Sequence, residues 1–269
     1  MDSLTRKTAV ITGASQGIGA FIAKALAVEG ARVVLAARNL DKLGEVARAI
    51  SDRGGEAICV QADITDDTAR SNLVKRARLE FDRVDILVNN AGVEDIVEYE
   101  TQDADNIRRL IEVNLLAPML LTRAILPAML ERRFGHIVNI ASLAGRVGMP
   151  YGSVYAGSKG GLARWSLSLR AELAGRGVDV SLISPGFVAD AGMFARRETP
   201  PPKALGACRP QQVADAVVRA IKTNAPEIIV NPKPARLLMA IEAVSPRLAT
   251  QLADRLGLIG FVRGLARKG

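Results

Sequence analysis

The sequence predicts an α/β chain built on a doubly wound parallel sheet of about seven strands, with helices on both faces and a short helical tail. Three observations carry this. Short β-branched runs alternate with longer segments of helical period. The strand candidates are continuous apolar runs, Ala9-Val10-Ile11 and Ile86-Leu87-Val88 among them, as strands covered on both faces require. Strand, helix, strand, helix repeated in this way implies parallel pairing through right-handed crossovers.

The elements follow in order. Thr8–Thr12 is an apolar strand that ends at a glycine-rich turn, and residues 17–29 continue with helical period. Strands at Arg32–Ala37 and Ala57–Gln61 enclose a helix over 41–52, and a helix over 66–80 leads to a strand at Ile86–Asn89. A long helical segment over 102–130 precedes His136–Ile140, and one over 152–174 precedes Val178–Ile183. Residues 187–209 hold Pro200, Pro201 and Pro202, two glycines and no helical period, the mark of a lid loop or an insert. A helix over 211–223 and a strand at Ile228–Val230 complete the pattern, which no boundary interrupts.

Apolar residues make up 49% of the 269, enough for a globular core. The net charge of +8 is uneven: basic and acidic residues cancel over 1–194, and the whole excess lies in 195–269. No basic cluster is joined to a nucleic-acid-binding motif, so nucleic acid is not an expected partner. The first residues show no basic region followed by an apolar one, and about 18 consecutive apolar residues occur nowhere, so neither secretion nor a membrane span is expected. Cys59 and Cys208 form no ligand-type pair and no disulfide framework, which suits a reducing cytoplasm, and no metal is expected.

Gly13-Ala14-Ser15-Gln16-Gly17-Ile18-Gly19 follows the first strand and opens the first helix. Its amides and the helix N-terminus direct positive charge at a pyrophosphate, and glycine lets the backbone approach closely. Residues 1–232 therefore read as one dinucleotide-binding domain. About twenty residues further on, proteins that bind NAD carry an acid for the ribose hydroxyls. Here the second strand ends Ala36-Ala37-Arg38-Asn39 with no carboxylate, and Arg38 can pair with a 2′-phosphate through a bidentate fork. NADP(H) is therefore favoured over NAD(H). Asp63 and Ile64 suit an adenine edge, although a cap for the next helix explains Asp63 as well. Asn89, Asn90, Ala91 and Gly92 place small residues and amides where a cofactor crosses the sheet, as an ordinary turn would too.

Tyr155 and Lys159 stand at i and i+4, on one helix face, where the ammonium favours the phenolate. The phenol can then exchange a proton with a substrate oxygen while hydride moves at the adjacent carbon. Ser142 follows the fifth strand and can hydrogen-bond the same oxygen. Asn114 is a poor interior helix former, placed to disturb the backbone and hold a water in a proton relay. Singly each residue has a duller reading, as helix decoration or a cap. Their joint occurrence, in order after the right strands, carries the reading.

The chain resembles the short-chain dehydrogenase/reductase family over about residues 7–232. The resemblance rests on Thr12-Gly13-x-x-x-Gly17-x-Gly19, Asp63, Asn89-Asn90-Ala91-Gly92, Asn114, Ser142, Tyr155-x-x-x-Lys159 and Pro185-Gly186. It implies a Rossmann-type sheet, a catalytic tetrad of Asn114, Ser142, Tyr155 and Lys159, and Pro185, Gly186 and Val188 against a nicotinamide. It also implies a homodimer or homotetramer built on the two long central helices. Two departures stand out. Relatives often carry Thr four residues after the Pro-Gly glycine, where this chain has Asp190. Some that use NADP carry a basic residue before the second motif glycine, where this chain has neutral Gln16.

Val93, Leu143, Val147, Met149, Tyr151, Phe187, Met193 and Phe194 are expected to face the substrate, a lining suited to an apolar carbonyl or alcohol. His136 and Trp165 read as structural. Residues 233–269 are expected to form a basic amphipathic extension. It can pack on the same domain or a partner subunit, wall the pocket, or lie on an anionic membrane surface. The predicted activity is NADP(H)-dependent interconversion of a carbonyl and an alcohol. The alternatives are NAD-dependent alcohol oxidation on the same fold and, from another class, a non-catalytic nucleotide sensor.

Overall fold

A computed structural model describes residues 1, 3–192, 202, 206–232 and 235–267. Among these, seven strands form one parallel sheet: β1 (Thr8–Thr12), β2 (Arg32–Ala37), β3 (Ala57–Gln61), β4 (Ile86–Asn89), β5 (Gly135–Ile140), β6 (Val178–Pro185) and β7 (Glu227–Val230). Their order is β3-β2-β1-β4-β5-β6-β7. The direction of winding reverses at β1, so the β1/β4 boundary is the switch point where the carboxyl ends of a doubly wound sheet open a crevice. The strand boundaries lie within two residues of those expected.

The connecting helices are α1 (Gly17–Val28), α2 (Leu40–Ser51), α3 (Asp67–Phe81), α4 (Ala104–Ile111), α5 (Ala117–Glu131), α6 (Ser153–Glu172) and α7 (Pro210–Thr223). Alternation along each strand feeds two cores. Ala9, Ile11, Val33, Leu35, Ile86 and Val88 face the side of α1, α2 and α7, while Val10, Val34, Ala36 and Leu87 face that of α3, α5 and α6. Short polar side chains start the helices, with Asn39 accepting from Lys42 N–H, Asp66 from Ala69 N–H and Asp103 from Asn106 N–H. Asp66, not Asp63, is thus the cap of α3.

The long helix expected over 102–130 is interrupted. Between α4 and α5, Glu112–Leu116 forms a π-helical turn in which Ala117 N–H reaches back to Glu112 O. Pro118 has no N–H, so Asn114 loses the donor a regular helix would supply four residues on. The whole segment Ala104–Glu131 has the length and apolarity of a membrane span. Its Leu121, Ile125 and Met129, however, are core residues against the sheet.

Buried polar groups pin the middle of the sheet. Asn89 donates to Asn139 Oδ1 (2.8 Å) and Thr122 Oγ1, and Asn139 donates to Ser166 Oγ (2.8 Å), joining β4, β5, α5 and α6. His136 on β5 contacts Ser181 Oγ through Nε2 at 2.9 Å, and Ser181 spends its proton on Ala225 O. Nε2 must therefore carry the imidazole proton. Burial first, then the positive N-terminus and Arg170, lower the His136 pKa to about 3. The unfolded chain binds this proton near pH 6.5 and the folded one does not, so stability falls as pH drops from 6.5 toward 3. Unfolding by urea at pH 7 and pH 5 is expected to show a loss of about 2 kcal/mol that a His136→Asn variant does not suffer. Equal losses in both proteins would remove His136 from the account.

Candidate active site

The glycine turn leaves β1 with Gly13 at φ +65° and Gly17 at φ +60°, the left-handed region that suits glycine. Gln16 stands in extended conformation at the cap position of α1, with no side-chain cap and no acid in the first turn. The first amides of α1 thus open onto the crevice with the positive end of the helix behind them. A Cβ on Gly13 would come 2.9 Å from Ala91 Cα, and one on Gly19 would overlap Gly13 O. The turn can therefore sit directly on the β4 loop. Two side chains lock that contact: Thr12 Oγ1 accepts from Asn90 N–H (3.0 Å) and Ala91 N–H (3.1 Å), and Asn90 Nδ2 donates to Thr12 O (2.9 Å).

At the end of β2, Arg38, Asn39 and Lys42 line the crevice. Lys42 Nζ donates to Gln16 Oε1 at 3.1 Å, which brings a second cation beside the neutral residue of the glycine turn. Reading outward from β2 missed Lys42. Its place in the first turn of α2, four residues beyond Arg38, was the available signal. Asp63 accepts from Thr65 N–H (3.0 Å) and Thr65 Oγ–H (2.7 Å). Burial raises its pKa, but those hydrogen bonds and the charges of Arg38 and Arg109 outweigh burial and hold the carboxyl below its ordinary value.

Ser142 follows β5 and accepts Ala144 N–H at 3.1 Å, which opens a 3-10 turn at Leu143–Gly145. A Cβ on Gly145 would fall 2.5 Å from the Lys159 carbonyl carbon. Glycine there lets the serine turn rest on the backbone of α6, beside Tyr155 and Lys159. Tyr155 hydrogen-bonds Ser142, and only 7% of it is exposed. Lys159 Nζ donates to Ile140 O at 2.9 Å.

The electrostatics differ from the expectation that Lys159 draws the phenol down. Burial, with Glu94 adding to it, pushes Tyr155 well above the usual tyrosine value, and the Ser142 hydrogen bond only partly opposes this. Burial also lowers Lys159 to about 8, so near neutral pH part of its charge is given up. Glu94, next to Val93 in the lining, is a site residue that sequence reasoning missed.

Asn114 is fully buried and does not line the crevice. Its Nδ2 donates to Val93 O (2.8 Å) and Ser158 Oγ (3.0 Å), and its Oδ1 accepts Val93 N–H (2.9 Å). The amide therefore staples the β4 loop to α6, and Pro118, four residues on, has no N–H to offer the Asn114 carbonyl. The backbone is indeed disturbed at Asn114, which sits inside the π turn.

The glycine turn, Arg38 and Lys42, Asp63, and Ser142, Tyr155 and Lys159 share one cavity of 1510 Å³. It is lined by Gly13, Ser15, Gln16, Gly17, Ile18 and Gly19, by Ile64, Ala91 and Gly92, and by Pro185, Gly186 and Val188. Val93, Leu143, Val147, Met149 and Phe187 also line it, whereas Met193 and Phe194 lie outside the described residues. Tyr151 is not in the lining, and its hydroxyl instead accepts from Arg263 Nε at 2.7 Å.

The tail contributes what sequence reasoning could not assign. It forms α8 (Ala235–Val244), α9 (Pro246–Arg255) and α10 (Leu258–Ala266), and Leu237, Met239, Leu252, Leu256 and Leu258 close the apolar end of the cavity. Val262 and Leu265 pack with Ile96, and Phe261 meets Phe187 edge-on at 5.7 Å. Glu242 accepts Gly148 N–H at 2.8 Å, tying α8 to the loop after Ser142.

Hydride chemistry on a Rossmann-type sheet is the class such a crevice defines, that of the NAD(P)-dependent dehydrogenases and reductases. A family model described as short chain dehydrogenase matches residues 7–201. The chain belongs to the short-chain dehydrogenase/reductase family. It is similar to the ketoacyl reductase HetN of Nostoc, 40% identical over 266 residues that cover 97% of this chain and 93% of that one, a span that includes part of the tail. It is also similar to a 3-oxoacyl-[acyl-carrier-protein] reductase of Synechocystis, 37% identical over 70% of this chain and 77% of that one. Among solved structures it resembles a metagenomic short-chain oxidoreductase in complex with NADP, with TM-score 0.74 and 38% identity over 87% of this chain and all of that one.

Proposed function

We propose that the protein is an NADP(H)-dependent oxidoreductase that interconverts a carbonyl and an alcohol on an apolar small molecule. One observation carries this reading: the open glycine turn, a cationic end at Arg38 and Lys42, the Ser142–Tyr155–Lys159 group and an apolar wall line a single cavity. The residues fit a dinucleotide. The uncapped α1 N-terminus suits its pyrophosphate, Arg38 and Lys42 suit a 2′-phosphate, and Gly92, Pro185, Gly186 and Val188 leave room for the nicotinamide.

A dinucleotide held by these residues would supply or accept the hydride. In the reducing direction a C–H bond forms at the carbonyl carbon, the C=O π bond breaks, and Tyr155 gives its phenolic proton to the oxygen. Ser142 holds that oxygen by a hydrogen bond. Asn114 positions the β4 loop against α6, and its carbonyl and Lys159 lead the replacement proton toward Tyr155. The names of the Nostoc and Synechocystis relatives make 3-oxoacyl compounds the first carbonyls to assay. A homo-oligomer is part of the proposal. Ile111 and Leu116, exposed beside the π turn, offer an apolar face for it to cover.

Steady-state rates with NADPH and NADH test the cofactor. An Arg38→Ala/Lys42→Ala variant is expected to lose about 10- to 100-fold in kcat/KM for NADPH, the range for lost charge-assisted hydrogen bonds, and to change little with NADH. A wild type that turns over only with NADH would keep the proton chemistry and overturn the role of Arg38.

A further inference from the structure

We infer that α8 and α9 dock the protein on an anionic lipid bilayer and that the mouth of the substrate cavity opens at that contact. The inference rests on the proposed apolar substrate. On α8, Leu237, Ala240 and Val244 recur at i, i+3 and i+7, and on α9, Leu248, Leu252 and Leu256 recur at i, i+4 and i+8. Each set forms one stripe. Val244 is 88% exposed, Leu237 63% and Leu248 56%. Leu237, Leu252 and Leu256 also line the cavity, so the two stripes run from the outer surface over its rim.

Charge decides the occupant. Arg236, Arg247 and Arg255 are exposed on these two helices, whereas Asp254 is the exposed acid there among the described residues. The other acid, Glu242, is turned inward onto Gly148 N–H. Exposed aliphatic side chains flanked by arginines match a surface of acyl chains beneath anionic headgroups. An acidic protein would answer the arginines without requiring the Val244 and Leu248 side chains. Lying this way, the protein takes an apolar substrate directly from the bilayer, because the rim residues are continuous with the docking stripes.

Sedimentation of the full chain with vesicles tests this without any turnover, so its failure is separable from failure of the proposed chemistry. At low salt the wild type is expected to partition onto vesicles containing phosphatidylglycerol at least about ten-fold more than onto pure phosphatidylcholine, and to be released by high salt. Val244→Glu/Leu248→Glu is expected to lower that partition at least about ten-fold. Both positions lie outside the cavity, so NADPH binding should be unchanged. An Arg236→Gln/Arg247→Gln/Arg255→Gln variant should lose the preference for anionic vesicles even if the first variant misfolds. Equal partition of wild type and variants overturns the inference. So does a lipid-free oligomer that the Glu variant dissociates, which gives the stripe to a second copy. Retention by an acidic carrier protein but not by vesicles overturns it in favour of a protein partner.

Discussion

Replacing Tyr155 by Phe is expected to lower kcat by about 10²- to 10⁴-fold while NADPH affinity stays within about three-fold of wild type. Phenylalanine keeps the ring that packs at the head of α6 and removes only the hydroxyl that hydrogen-bonds Ser142. The structural cost is one hydrogen bond in a buried setting, about 1 kcal/mol, so folding should survive. Rapid-mixing kinetics with a 3-oxoacyl substrate, alongside a fluorescence titration of NADPH, separate the two quantities. Retention of more than about a tenth of the wild-type rate would move the proton to another group. Burial and Glu94 both hold the phenol's pKa up, so Tyr155 carries its proton at neutral pH.

Gly19→Ala should be nearly as damaging, by a different route. In an open helix the change from glycine to alanine stabilises by about 1 kcal/mol. Here the new methyl would fall 2.5 Å from Asn90 Nδ2 and within the radius of Gly13 O. The glycine turn and the β4 loop must then part, which breaks the Thr12–Asn90 lock and moves the amides that open onto the crevice. NADPH affinity is expected to fall by at least about 100-fold, and overpacking of about 1–3 kcal/mol should lower the melting temperature by several degrees. Gly44→Ala in α2, where an added Cβ meets nothing within 4 Å, is the control and should raise the melting temperature slightly. If both variants bind NADPH as wild type does, the close approach at Gly19 is not needed for the cradle.

Much of this was legible from the residues. Continuous β-branched runs announced the strands because a sheet covered on both faces accepts apolar side chains at every position. The glycine spacing and the Ser142, Tyr155 and Lys159 order were local enough to place around one crevice. What escaped depends on contacts between distant segments. Lys42 reads as an ordinary helix charge until α1 brings Gln16 to it. Asn114 was legible as a backbone disturbance, but that its amide is taken up by Val93 and Ser158 depends on the β4 loop and α6 meeting there. The π turn had a local signal in Pro118, four residues after Asn114, yet the apolar period ran through it unbroken. The tail was the hardest part, because an apolar and basic stripe is equally suited to a pocket wall, a partner or a bilayer. The positions of Leu237, Met239, Leu252, Leu256 and Leu258 show that it borders the cavity.

The lock between Thr12 and Asn90 joins residues 78 positions apart, across the one place where the sheet reverses direction. Ribosomes deliver β1, β2 and β3 first, and these can pair while the chain is still growing. The glycine loop, however, has nothing to rest on until Asn90 leaves the exit tunnel. The cradle is complete only when β4 and the loop after it are in place, so a bound dinucleotide would bridge the two halves of the sheet.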